Sequence, residues 1–252
     1  METESPPGFS TTTDVYRGKK GGLSSVIGEF ILPSLTPPPL NMPHHVSLIH
    51  CTNDGDSLVA YMARVSNPKG QSKDSTKLIK YLMRHKHWSP FEMVNMCVQI
   101  DTTRSIASQI LRHRSFSFQE FSQRYADVTE LGDISLPNLR RQDKSNRQNS
   151  IDDLNPQCVE IWNRMISDQF DKSQALYNLL LDGGVAKECA REVLPLSSPT
   201  RLYMNGSIRS WIHYCDLRCD VATQLEHRTI ANQCKELIKV HFPNVYNAWM
   251  IN

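Results

Sequence analysis

The run Arg112-His113-Arg114-Ser115-Phe116-Ser117-Phe118-Gln119-Glu120-Phe121-Ser122-Gln123-Arg124-Tyr125 concentrates groups that bind anions. Three arginines and one histidine fall within thirteen positions, with serine hydroxyls and one carboxylate between them. A guanidinium presents a planar fork of N–H donors that matches phosphate, and hydroxyls and backbone amides can complete the cradle. A site that needed only positive charge could use lysine, and this run has none. The chemistry implied is oriented recognition of an anion. On spacing alone, the run reads equally as a basic helix end followed by a polar loop. If it is a helix end, Arg112 and Arg114 diverge by about 200°, which suits two neighbouring anionic ligands better than one.

A second cluster of charge lies near the C-terminus. A helix from Asn205 at about 100° per residue puts Arg209, His213, Asp216 and Asp220 on one polar stripe. Arg218 lies nearly opposite Arg209, at the edge of the apolar stripe, so the two should not serve the same ligand atoms. Arg218 also reads as an arginine that lays its stem on apolar surface. Cys215 and Cys219 share the stripe of Ile208, Trp211 and Ile212. Their grouping with His213 and His227 therefore reads as core and not as a zinc site, and no metal is expected.

Elements that would position these residues can be read from periodicity. Val46, Leu48 and His50 alternate as a weak strand. Asp54-Gly55-Asp56 marks a turn or a helix start, Ser57 to Val65 reads as helix with Leu58, Tyr61, Met62 and Val65 at helical spacing, and Asn67-Pro68-Lys69-Gly70 ends it. A second helix spans Ser75 to His85. Pro90 breaks the chain at His87-Trp88-Ser89-Pro90-Phe91-Glu92. Val94, Met96, Val98 and Ile100 alternate as a half-buried strand. Asp101 or Thr102 can cap a helix running through Leu111 into the arginine run. Residues 140–157 read as a polar surface loop. A long helix over Val159 to Leu181 places Trp162, Met165, Ile166 and Phe170 inside and stops at Gly183-Gly184. Ala186 to Leu194, 206–220 and 224–240 complete the helices. The class is α+β, a helix-rich single domain with a small mixed or antiparallel sheet.

The chain has 252 residues, 39% of them hydrophobic, enough for one substantial core. Residues 1–44 carry seven of the fourteen prolines and read as a flexible arm, with a short ordered piece at Val26–Leu32; 45–252 read as one folded domain. A net charge of +2 is too mild for a general nucleic-acid binder, so neither a nucleic-acid nor a membrane partner is expected. The seven cysteines form no Cys-x-x-Cys pair, and the N-terminus has no apolar signal core; both point to a reducing cytoplasm.

Arg112-His113-Arg114, seven residues and then Ser122 resembles the signature of the flavin-dependent thymidylate synthases, the ThyX family. Glu120, Arg124 and Tyr125 also match. His87-x-Ser89-Pro90-Phe91-Glu92 resembles the family's His-x-Ser/Thr-Pro-Phe-Glu motif. Ala63-Arg64-Val65-Ser66 resembles its first helix, and Ala190-Arg191-Glu192-Val193-Leu194-Pro195 its Ala-Arg-x-x-Leu-Pro segment. The resemblance covers about Val46 to the C-terminus. Four positions depart from it: Met93, where the family commonly has His; Ser207 and His213, where many members have Asn; and Ala222, where some have His.

The resemblance implies a ThyX-like homotetramer with active sites between subunits. It implies methylation of dUMP to dTMP, with carbon from methylenetetrahydrofolate and reduction by NADPH through FAD. dUMP is expected at Gln109, Arg112, Glu120, Phe121, Ser122, Gln123, Arg124, Arg191 and Arg218, with Arg218 catalytic at the uracil. Glu120 would accept from a ribose hydroxyl or order the arginines. FAD is expected at Ser66, His87, Ser89, Arg112, His113, Arg114, Gln119, Glu120, Ser207, Arg209 and His213. Cysteine-dependent synthases use a Pro-Cys-His nucleophile, which this sequence lacks. The alternatives are a single-stranded nucleic-acid module, its Phe116, Phe118, Phe121 and Tyr125 stacking bases, or a catalytically inactive flavin-binding protein.

Overall fold

The computed structural model describes residues 44–67, 70 and 74–251. The expected arm, His44 apart, lies outside them, as do Pro68 and Lys69 of the first helix stop. In chain order the elements are β1 (His45–Cys51), α1 (Gly55–Ala63), α2 (Ser75–Arg84), β2 (Asn95–Thr103), α3 (Arg104–Ile110) and β3 (Ser117–Glu120). There follow β4 (Arg141–Gln142), β5 (Ser150–Ile151), α4 (Pro156–Asp182), α5 (Lys187–Ala190), β6 (Pro199–Ser207), α6 (Ile208–Arg218), α7 (Leu225–His241) and α8 (Pro243–Met250). Short 3-10 turns lie at Ser89–Met93, Val128–Leu131 and Arg191–Val193.

The sheet is antiparallel in the order β1-β2-β6-β3. β2 is central and covered on both faces, so Cys97 and Gln99 are buried along with Met96, Val98 and Ile100. Val98 faces Met204 on β6 and Leu48 on β1. The core joins this sheet to α3, α6, α7 and α8 through Ile106, Ile110, Trp211, Ile230, Ile238 and Val245. Trp211 Nε1 donates to the Met96 carbonyl at 2.9 Å and fixes α6 against β2. Asp56 on α1 caps α8 by accepting from the backbone of Asn244 and Val245, at 2.7 and 3.1 Å. No described helix is long and apolar enough to cross a membrane.

Several expectations are corrected. The segment from Asn205 is not yet helix: β6 runs to Ser207, whose hydroxyl accepts from Ser210 N and caps α6. The strand signal was period two, with Thr200, Leu202, Met204 and Gly206 buried and the residues between them less so. α1 buries Val59 and Ala60, while Tyr61, Met62 and Val65 are exposed. Asp101 and Thr102 do not cap α3 because both belong to β2; Asp101 accepts from Arg201 and Gln99 instead. The 140–157 loop contains the β4–β5 hairpin, and α8 was not anticipated. The apolar residues of α4 are not inside this chain: Trp162 and Met165 are exposed, Ile166 and Phe170 are half-buried, and Tyr177 is the buried residue of that helix.

Candidate active site

The arginine run is positioned by the end of α3. Ile110 is buried, the helix stops there, and Leu111 and Arg112 enter a turn that leads to β3. Arg112 and Arg114 therefore sit on a turn and not on a helix end, so their divergence is set by turn geometry. Both are exposed, and neither has a carboxylate partner among the described residues.

His113, between them, turns inward. Its ring meets Tyr214 with centroids 5.0 Å apart, and its Nε2 accepts a 3.0 Å hydrogen bond from Arg218 Nε. Burial, and then the charge of Arg218, lower the His113 pKa to about 4, so the imidazole is neutral and can accept. Beneath it lies His227, fully buried. Its Nε2 is 3.1 Å from the Tyr214 hydroxyl and its Nδ1 is 3.3 Å from Gln109 Oε1. Burial first, then Arg218 and His113, lower its pKa to about 3.

A second group forms where β6 becomes α6. Glu92 accepts from Arg209 at 2.6 Å and from the Ser207 hydroxyl at 2.5 Å. Burial opposes ionisation of Glu92, but the hydrogen bonds of Ser207 and Arg209 and the nearby positive charge outweigh it and leave the pKa lowered. His213 is exposed, with its ring 5.4 Å from Trp88. Ser89 opens the same turn as Glu92. His87 is exposed and keeps ring contacts with Tyr81 and His85. Ser66 is exposed after α1, and no described contact joins it to this group.

The third group is built on the end of β3. Glu120 accepts from Arg104 Nη1 and the Thr200 hydroxyl, each at 3.0 Å. It does not order the arginines of the run; Arg104, which opens α3, holds it instead. Phe121 N donates to the Arg201 carbonyl at 2.8 Å, and the Ser122 carbonyl accepts from Tyr125 and Ala126 to close a turn. Gln123 is buried, and its Nε2 has no partner among the described residues. Arg124 pairs with Glu188 on α5 at 3.1 Å, and Arg191 reaches Glu192 at 3.6 Å. Gln119 is exposed on β3.

Within the described residues, no hydrogen bond or ion pair joins the Gln109–Arg112–His113–Arg218 group to the Glu120–Ser122–Arg124–Arg191 group. Arg209 bonds Glu92 and Arg218 bonds His113, so the two make different contacts among the described residues. Sequence reading missed Arg104, Tyr214, Gln224 and the roles of Glu92 and His227. Glu92 stood in a quoted motif, whereas buried Tyr214 carried no signal beyond an apolar stripe. No cluster of three metal-ligating side chains occurs among the described residues.

Residues 47–244 match the model of a family described as thymidylate synthase complementing protein. A flavin-dependent thymidylate synthase of Synechocystis sp. is 52% identical over 190 residues, covering 75% of this chain and 87% of that protein. A probable flavin-dependent thymidylate synthase of Paramecium bursaria Chlorella virus 1 is 48% identical over 204 residues, covering 80% and 93%. Among solved structures, a UMP/dUMP methylase, PolB from Streptomyces cacaoi, bound with 5-Br dUMP, superposes with a TM-score of 0.73 at 27% identity, covering 82% of this chain and 95% of that one.

Proposed function

Because this chain belongs to the family of flavin-dependent thymidylate synthases, we propose that its arginine-rich turn and the Arg218–His113 pair form the site where dUMP is methylated to dTMP. The enzyme depends on a flavin, which we take to be FAD. The carbon donor is methylenetetrahydrofolate and the reductant NADPH. The observation that carries the reading is the Arg218–His113 bond, with His113 flanked in sequence by two exposed arginines that have no carboxylate partner among the described residues.

The donor set suits both anionic ligands. Among the described residues, Arg112 and Arg114 have no carboxylate to displace, and Gln123 Nε2 is a buried donor without a partner. Arg114, His113 and Arg209 would hold the flavin pyrophosphate, with Ser66, His87, Ser89, Gln119, Ser207 and His213 nearer its remaining groups. When bound, the flavin supplies the reducing equivalents. Ser122, Arg124 and Arg191 would meet the dUMP phosphate with Arg112, and Phe121 and Glu120 would meet the nucleoside.

Methylation at C5 requires the uracil ring to become electron-rich at that carbon, which places negative charge on the carbonyl edge. Arg218 would stabilise that charge. Its Nε is held by neutral His113, and its terminal NH2 groups make no hydrogen bond within the described residues. The guanidinium is thereby oriented before the substrate arrives, which is what makes a fixed cation effective in a site that excludes water.

The enzyme is a homotetramer in this reading, with sites between subunits. Two features support it. The residues assigned to the nucleotide fall into two groups that no hydrogen bond or ion pair joins among the described residues, and α4 exposes Ile161, Trp162, Met165, Leu176 and Leu179. The test is to purify the protein, record its visible spectrum and mass in solution, and follow tritium release from C5-labelled dUMP with both co-substrates. A yellow tetramer with about one flavin per chain that releases tritium is expected. A colourless protein that binds no flavin and releases no tritium overturns the reading.

A further inference from the structure

Glu226 fixes the direction of a hydrogen-bond chain that runs through Gln109 to Tyr214. Its two oxygens accept from Arg140 at 2.7 and 3.0 Å, in a pair whose side chains are only 10% and 15% exposed. A carboxylate so paired is ionised and can only accept. One of its oxygens also accepts from Gln224 Nε2 at 2.9 Å. Gln224 must then turn its own Oε1 the other way, where it accepts from Gln109 Nε2 at 2.8 Å. Gln109 in turn presents Oε1 to His227 Nδ1 at 3.3 Å. That nitrogen must carry the proton, so Nε2 is bare and accepts from the Tyr214 hydroxyl at 3.1 Å. Every donor points toward Glu226. Flipping one amide or moving the imidazole proton sets donor against donor or acceptor against acceptor at two neighbouring links.

The chain is costly to build. His227 is fully buried and Tyr214 is 1% exposed, inside a core of Ile, Trp and Cys side chains. Two apolar residues could fill that space without removing polar groups from water. The imidazole stays neutral throughout the physiological range, because burial holds its pKa near 3.

We propose that Tyr214 and His227 are positioning residues that hold the Oε1 end of the Gln109 amide, opposite the end that Gln224 orients, so that its second N–H stays available to the pyrimidine nucleotide, and that they thereby set nucleotide affinity and not flavin affinity. The proposal rests on the reading that puts Gln109 beside dUMP. The groups dUMP offers at its phosphate and carbonyls are acceptors. An amide anchored at Gln224 alone can rotate away from these acceptors, and one held at both ends does not.

The test is a double-mutant cycle read by dUMP calorimetry on flavin-loaded protein, with flavin absorbance and the KM and kcat for dUMP measured alongside. His227→Leu should weaken dUMP binding roughly five- to tenfold, with flavin occupancy within about twofold of the parent and kcat at saturating dUMP within about threefold. Gln109→Ala should show a loss of similar size. The double variant should bind no more than about twofold worse than Gln109→Ala, because the imidazole acts through that amide. Tyr214→Phe should raise KM in the same direction by a smaller factor, and it gives the answer if leucine at 227 prevents folding. Additive losses overturn the proposal, as does dUMP affinity unchanged in both His227→Leu and Tyr214→Phe. If Gln109→Ala itself binds dUMP like the parent, the placement of Gln109 fails and the proposal with it. If the flavin-loaded parent binds no dUMP, the functional reading itself fails.

Discussion

Arg218 Nε donates a 3.0 Å hydrogen bond to His113 Nε2, tying the last turn of α6 to the turn after α3. The bond joins two residues 105 positions apart. It also requires His113 to be unprotonated, so the orientation of the cation depends on a neutral imidazole.

Arg218→Ala is expected to lower turnover by at least about 10²–10³-fold while flavin occupancy stays near that of the parent, the usual cost of removing one preorganised charge donor. Arg218→Lys should recover little, because an ammonium on a flexible stem cannot both bond His113 and present a fork. The comparison of dTMP formation with flavin absorbance checks this. Turnover of Arg218→Ala within a few-fold of the parent would return Arg218 to a structural role.

Arg209 is held on Glu92 at 2.6 Å, away from Arg218. Arg209→Ala should therefore weaken flavin binding first, by roughly tenfold for a lost charge-assisted contact, and leave dUMP affinity near the parent value. Glu92→Gln should weaken flavin in the same direction by a smaller factor, since it loosens both Arg209 and Ser207. Flavin retained on ultrafiltration measures both; unchanged retention in Arg209→Ala would count against the assignment.

The two inward imidazoles give stability a pH dependence of definite sign. In the folded chain His113 and His227 titrate at about 4 and about 3, below the ordinary 6.5. Below pH 6.5 the unfolded chain takes up protons that the folded chain excludes. The stability these groups contribute is complete above pH 6.5 and is lost as pH falls toward 4 and then 3. Melting temperature should decline over that window, and more shallowly in His227→Leu. An equal decline in both would remove His227 as a cause.

Gly206 lies where a side chain cannot be accommodated without movement. A Cβ there would overlap the Phe116 ring, which packs edge-on to Trp211 at 4.8 Å. Gly206→Ala should cost about 1–3 kcal/mol by overpacking. Because Phe116 follows the Arg112–Arg114 turn, flavin affinity should fall as well. Urea unfolding midpoints and flavin titration test the two effects separately.

Residues 1–40 carry none of the segments assigned to the site, and the family match begins at 47. Deleting them is expected to leave flavin binding and turnover within about twofold. Loss of activity or of the assembled state in that truncation would make the arm part of the site.

The sequence by itself determined the chemistry and most of the elements. The arginine run, the His87–Glu92 turn and the Arg209/Arg218 divergence are local patterns, set by residue type and by helical or strand period, and local physics does not depend on the rest of the chain. β6 obeys the same rule, and the helix expected from Asn205 overlaps only its last three residues. Tertiary structure decided what these patterns touch. Glu120 went to Arg104 and Thr200 and not to the arginines of the run, because the antiparallel register of β3 against β6 sets Glu120 opposite Leu202, beside that pair. Trp162 and Met165 looked like core because the period of α4 is amphipathic, and period alone does not say whether the same chain or another one covers the stripe. The tautomer of His227 is the furthest from the sequence. It follows from Glu226 being acceptor-only, through Gln224 and Gln109, side chains that only the packing of α3, α6 and α7 brings within hydrogen-bond reach.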